Sequence, residues 1–419
     1  MIIIFIILLC FYLKFSKTEI SYFFLFIAIG GILIAVNNLL FFEASYRYFA
    51  GSDTIVYYEE AKNFVIKDLT WSGWISSIRY IFYFIFQNLA SYPFIENEKY
   101  ASFLIKLSNL ATGLFSIAYF NHKVKNYLGH SLNKNIAYNL LLFASTLCII
   151  SISFYNVRDV LLTAFFIILL SELSFERNSK LPLIISIFAV ANFRFFYPPV
   201  ILFAKYLSTK QHRIVITLNK LKLTPEIRYW IMSIVFVLIL LTISKIFIPL
   251  ISAIVMLFTG YPLSVETFNY SIIDFFRSLV AGDPISYWLG FYDSQGRAFV
   301  ITNINQLFFG FIYLISYFIT IYIVLFPLLL LFNQNNNSVY YLKFIKVNLI
   351  AIFTLLIIAA LNTIFYEGMQ ERVRVTVMVP VLLAMSLNTV YLKHSKINLL
   401  ACLFLSILIS LCIAIFYIT

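Results

Sequence analysis

Apolar stretches long enough to cross the hydrocarbon core of a bilayer recur along this chain from its first residues to its last. A membrane-spanning helix needs about 20 predominantly apolar residues, and candidate spans cover 1–13, 20–42, 101–120, 135–152, 160–173, 229–257, 306–332, 347–365, 375–391 and 397–417. With 62% hydrophobic and only 11% charged residues, a soluble globular domain is excluded. The pattern predicts an all-α, polytopic integral membrane bundle of about 10–12 transmembrane helices. We read 1–419 as a single membrane domain.

Two apolar regions, 75–92 and 181–204, decide the topology. If 75–92 crossed the membrane, the basic loop 121–134 would face outward, against the tendency of Lys and Arg to stay in the cytoplasm. Its Trp71, Trp74, Arg79, Tyr80 and Tyr83 suit the headgroup zone, so an interfacial or re-entrant helix is expected there. In 181–204, Pro198 and Pro199 follow Arg194, which predicts two half-helices meeting at the outer face. Cytoplasmic loops at 14–19, 121–134, 174–180, 205–228, 333–346 and 392–396 then hold 17 Lys and Arg against three acids. The outer segments 43–100, 153–159, 258–305 and 366–374 hold 10 against 14. Both termini are expected outside, with two substantial outer loops, 43–100 and 258–305.

The net charge of +12 follows from those cytoplasmic loops, which face an anionic leaflet, so nucleic-acid binding is not expected. Cys10, Cys148, Cys402 and Cys412 lie within apolar runs without paired spacing and read as core- or lipid-facing residues. No basic leader precedes the first apolar run and no small-x-small cleavage site follows it, so an uncleaved first span is expected.

Charge inside and at the ends of the spans marks candidate chemistry. In the first outer loop, Gly51-Ser52-Asp53 leads into an amphipathic segment with Tyr57, Tyr58, Glu59 and Glu60. Asp53 is either a helix cap or a carboxylate at the mouth of a membrane cavity, acting as general base or binding a sugar or cation. Asp159 opens a span and fits an ordinary cap, whereas Arg158 beside it opposes the helix dipole and calls for an anion. Arg194 is a guanidinium at membrane depth, costly unless it serves a site or snorkels to the headgroups. Arg372 and Arg374 either pair with Glu367 and Glu371 or clamp a phosphate. Arg277, Asp283, Asp293 and Arg297 of the loop 258–305 receive no role. These charges concentrate at the outer mouth and are largely absent at mid-membrane, a layout that suits an anionic amphiphile with its tail in lipid.

The Gly-Ser-Asp53-x-x-x-Tyr57-Tyr58 segment, the Asn156-x-Arg158-Asp159 helix start and Arg372-x-Arg374 before a helix with a proline resemble bacterial surface-polysaccharide membrane enzymes. The layout is similar to Wzy-type repeat-unit polymerases of O-antigen and capsule, and to GT-C glycosyltransferases. The first resemblance implies transfer of a growing glycan from undecaprenyl diphosphate onto the next lipid-linked repeat unit, at the outer face of the bacterial inner membrane. Arg158, Arg194, Arg372 and Arg374 would hold phosphates or diphosphates, and Asp53 or Asp159 would deprotonate the acceptor hydroxyl. Glu367, Glu371 and Arg277 are further candidates. The GT-C resemblance implies a polyprenyl monophosphate sugar donor and leaves room for a divalent cation; no other cofactor and no metal ligand set is expected. Expected partners are undecaprenyl-linked glycans, membrane lipid and a chain-length regulator protein. Export of the same glycans is the competing class; the depth of Arg194, Lys106 and Lys245 separates the two, since a continuous polar path favours transport and a single outward-facing pocket favours an enzyme.

Overall fold

A computed structural model of the chain describes residues 1–48, 81–128, 135–154, 158–175, 180–194, 197–209, 234–242, 304–332, 339–366, 371–391 and 395–418, with positions 58, 61, 62, 132, 227, 230, 231, 275 and 279. Among the described residues every regular element is a helix: α1 (Ile2–Tyr12), α2 (Lys17–Tyr48), α3 (Ile81–Ser91), α4 (Glu98–Leu128), α5 (Ile136–Ser153), α6 (Asp159–Ser174), α7 (Leu181–Phe193), α8 (Tyr197–Thr209), α9 (Ile304–Phe332), α10 (Val339–Tyr366), α11 (Glu371–Tyr391) and α12 (Ser395–Ile418). Five stretches, Lys17–Val36, Glu98–Leu128, Ile136–Ser153, Lys343–Thr363 and Val373–Val390, are long and apolar enough to cross a membrane. Helices satisfy their own backbone polar groups, which hydrocarbon cannot do for them. The protein is therefore a multi-pass helical membrane protein.

The chain falls into two compact units, Met1–Pro198 with Phe299–Phe309, and Pro199–Ala298 with Gly310–Thr419. In the first unit α4 is the hub, packing on α1, α2, α3, α5 and α6. One face of α4 repeats small or polar residues at helical spacing, Ser102, Lys106, Asn109, Gly113 and Ser116, all buried. Small residues let membrane helices approach closely, and a Cβ added at Gly113 would overlap Cγ2 of Ile149 on α5 and touch Val160 on α6. By contrast α2 leaves Tyr22, Phe24, Leu25, Ile29 and Ile32 exposed. That apolar face is what a lipid-facing helix presents.

Helix α3 runs back along the first turns of α4. Ala90 joins Ala101 and Ile105 in one apolar cluster with Tyr58, while Asn88 donates to the Ala61 carbonyl at 2.9 Å. One face of α3 is buried at Tyr83, Phe84, Gln87, Ala90 and Ser91, and the other is exposed at Phe82, Ile85 and Leu89.

The expected break in 181–204 is present. Helix α7 ends at Phe193, and Arg194 follows with extended backbone, φ −150° and ψ 94°. Pro198 and Pro199 then fall in the first turn of α8, where a missing N–H leaves no helical bond unmade.

Several helices extend beyond the apolar runs that announced them. The expected loops 14–19 and 121–134 are partly helical, because α2 starts at Lys17 and α4 continues to Leu128. Their charges pair between helices instead of ending them: Lys125 and Asn121 of α4 both reach Glu19 Oε1 of α2 at 3.3 Å.

In the second unit, α10 and α11 pack closely and a buried polar network ties them to α9. Asn348 Nδ2 donates to the Ala384 carbonyl at 2.7 Å and to Asn388 Oδ1 at 3.1 Å, and Asn388 Nδ2 donates to the Tyr322 hydroxyl at 2.6 Å. Phe203, Phe236 and Phe353 form an aromatic trio with centroids 5.5–6.1 Å apart. Of the expected loop 43–100, residues 49–57, 59, 60 and 63–80 lie outside the described residues, as do most of the expected loop 258–305 and of the span 229–257.

Candidate functional site

Helices α6 and α7 pack against each other, with Phe165 stacked on Phe193 at 6.3 Å and Phe166 edge-on to Tyr197 at 6.5 Å. Those ring contacts bracket Arg194. They hold the helix break against the N-terminus of α6, and Arg194 Nη2 comes 3.9 Å from Asp159 Oδ1. The distance makes an ion pair and exceeds hydrogen-bonding range. Both side chains are withdrawn from the surface, at 17% and 3% exposure, so their attraction is screened less than at an open surface.

Asp159 does not cap its helix as expected. Arg158 occupies the N-cap position and makes no capping bond with its side chain, while Asp159 is the first helical residue. Its carboxylate still lies where the helix dipole favours a negative charge. Arg158 itself already has helical backbone, at φ −65° and ψ −17°, unlike the extended backbone usual at an N-cap.

The same end of the unit holds buried polar groups that sequence reading did not rank. Gln87 on α3 and Asn109 on α4 are 1% and 0% exposed. Among the described residues neither amide has a hydrogen-bond partner on its nitrogen or its oxygen. Leaving such groups unsatisfied costs about 1–3 kcal/mol each, which makes them candidate contacts for water or a ligand. Ala90, one turn on from Gln87, meets Ala101 and Ile105, so Gln87 comes level with the α4 turn that carries Lys106. Lys106 is 2% exposed; charge is thus not confined to the helix ends. The available signal was Lys106-Leu-Ser-Asn109 inside an otherwise apolar run, a lysine and an amide on one helical face.

The other expected residues distribute as follows. Arg374 lies in the first turn of α11 in the second unit and is 8% exposed. Glu371 and Arg372 belong to the same turn, with only their backbone described. Asp53, Glu367 and Arg277, with Asp283, Asp293 and Arg297, lie outside the described residues. The structure thus brings together Arg158, Asp159 and Arg194. No group of three or more His, Cys, Asp or Glu suited to a metal occurs among the described residues.

A second charged cluster lies at the opposite end of the first unit. Glu19 Oε2 accepts from Ser16 N and Ser16 Oγ, both at 2.8 Å, and stands 3.5 Å from His122 Nδ1. Tyr138 donates to Asn121 Oδ1 at 2.9 Å. Glu172 on α6 takes Lys123 Nζ at 2.6 Å and the Tyr119 hydroxyl. These groups satisfy one another.

No protein-family model, curated protein or solved structure matches this chain.

Proposed function

We propose that the chain is a glycan-transferring membrane enzyme that polymerises undecaprenyl diphosphate-linked repeat units at its Asp159–Arg194 end, facing outward from a bacterial inner membrane. The observation that carries this reading is a carboxylate and a guanidinium from separate helices, held 3.9 Å apart at a helix break inside an apolar bundle. Arg194, with Arg158 beside Asp159, supplies donors for a diphosphate. An arriving diphosphate competes for Arg194 and releases the Asp159 carboxylate. Asp159 then takes the proton of the acceptor hydroxyl as its oxygen bonds to the anomeric carbon. The bond from that carbon to the diphosphate oxygen breaks, and undecaprenyl diphosphate leaves with the electron pair, its charge held by the arginines.

A reconstituted assay in liposomes tests this directly, supplying undecaprenyl diphosphate-linked repeat units alone and resolving products by size. Wild type yields a ladder of multimers; Asp159→Asn and Arg194→Ala each lower the rate by at least about 100-fold, the range of general acid-base and oxyanion contributions. Full activity in both variants removes the site from the reaction. Single-sugar addition only when a polyprenyl monophosphate sugar is supplied assigns the GT-C chemistry instead.

Export is favoured by a different observation, the run of buried polar residues along α4 from Ser102 through Lys106, Asn109 and Ser116 toward Lys123. Movement of labelled lipid-linked glycan between leaflets, with no change in its size, would select that reading.

A further inference from the structure

A recess of about 360 Å³ opens between α2, α4 and α5, at the Glu19 end of the first unit. Its volume falls at the low end of small-molecule and cofactor sites, about 300–1,000 Å³. Two kinds of wall meet in it. Tyr22 and Phe26 of α2, Ile117 of α4, and Leu140 and Phe143 of α5 form the apolar part. Tyr22, Leu140 and Phe143 are 62%, 61% and 45% exposed, and they belong to helices apolar enough to span a membrane. The recess therefore opens sideways toward acyl chains.

Its polar end carries Thr18, Glu19, Asn121, Lys125 and Asn139. The two charges there are not equally accessible. Glu19 is enclosed at 3% side-chain exposure, while Lys125 is 18% exposed and 3.3 Å from it. An ammonium has three donors, and Glu19 occupies one of those of Lys125. Ser16 and Asn121 take further positions on the Glu19 carboxylate, so the negative charge is satisfied within the protein. Lys14 and Lys17, which precede Thr18 in the chain, are exposed. Lys125 is thus the more accessible of the two charges lining the recess, and the wall beside it is apolar.

We propose that this recess binds an anionic phospholipid from the surrounding leaflet. One acyl chain lies against Tyr22, Phe26 and Phe143, and the phosphate meets Lys125, with Asn139 and Thr18 as further donors. A free phosphate would gain nothing from the apolar wall. The site is independent of the reaction proposed at Asp159.

The test uses the full chain purified in neutral detergent, with bound lipid read by native mass spectrometry. Dioleoyl phosphatidylglycerol, dioleoyl phosphatidylcholine and inorganic phosphate are titrated separately. Phosphatidylglycerol is expected to bind at one saturable site, and Lys125→Ala to weaken it about fivefold, as loss of one basic contact to anionic lipid predicts. Ala118→Phe, which fills the recess from α4 without touching the charges, is expected to abolish binding of the acyl chain. Ala118→Ser, small enough to leave the recess open, keeps wild-type binding and guards against a folding defect. Equal binding of phosphatidylcholine, binding of inorganic phosphate at the same concentration, or wild-type affinity in both Lys125→Ala and Ala118→Phe each overturns the proposal.

Discussion

A carboxylate buried in a helical bundle is stable only while its partners remain close. Glu172 is 4% exposed in its side chain, with Lys123 Nζ at 2.6 Å and the Tyr119 hydroxyl as second partner. Lys123→Met removes the cation and leaves the anion enclosed, an arrangement that costs about 3–5 kcal/mol when a buried pair is broken from one side. Unfolding in mixed micelles should show a loss of that order, and Lys123→Met combined with Glu172→Gln should restore most of it. A double variant as unstable as the single one would mean that Lys123 acts through packing, not charge. Neither partner revealed the pair in sequence. Lys123 fell in the expected loop 121–134, and its pairing with Glu172 across 48 intervening positions depends on helix packing. The contact of Asp159 with Arg194 was hidden for the same reason, although Arg194 stood out as a charge at membrane depth and Asp159 as an acid opening a span.

Helices impose their own requirements on single positions, and two glycines of the first unit respond to different neighbours. At Gly113 an added Cβ overlaps Cγ2 of Ile149, a branch fixed to the Ile Cβ that moves only with the whole side chain. At Gly30 the obstacle is Cδ2 of Leu110 at 2.6 Å, the far end of a side chain with two rotatable bonds. Replacing Gly by Ala within a helix gains about 1 kcal/mol of propensity, while overpacking costs about 1–3 kcal/mol. Gly113→Ala should therefore lose about 1 kcal/mol and Gly30→Ala should be neutral or slightly stabilising, measured by the same unfolding assay. The reverse order would place the tight crossing at α2 and α4. Helix identity was legible because the apolar runs fold as helices, five of which, among the described residues, are long and apolar enough to cross a membrane. Helix ends were less so: hydropathy stops at the first charges, whereas backbone hydrogen bonding carries α4 on through Lys123 and Lys125. The half-helices of 181–204 were legible because two prolines cannot sit inside an uninterrupted helix.

At the scale of the molecule, the first unit sorts its charges by end. The ends of α6 and α7 gather Arg158, Asp159 and Arg194, and the opposite end gathers Glu19, His122, Lys123, Lys125 and Glu172. The basic loops expected at 14–19 and 121–134 adjoin the second end, so the positive-inside tendency predicts that this end faces the cytoplasm and that Asp159 faces outward. Single cysteines read this assignment. Cys10, Cys148 and Cys402 are buried, and Cys412 is exposed only on the apolar helix α12, so the native thiols should give little background with a membrane-impermeant maleimide. Asn97→Cys, exposed just before α4, should label in intact cells, and Asn126→Cys, exposed near its far end, only after permeabilisation. Labelling in the opposite order would turn Asp159 and Arg194 toward the cytoplasm, where a periplasmic polymerase has no substrate. A donor made on the cytoplasmic face would then have to replace the diphosphate-linked repeat unit. Labelling of both positions from one side would instead mean that α4 does not span the membrane, and the proposed lipid recess between α2, α4 and α5 would lose its opening to acyl chains.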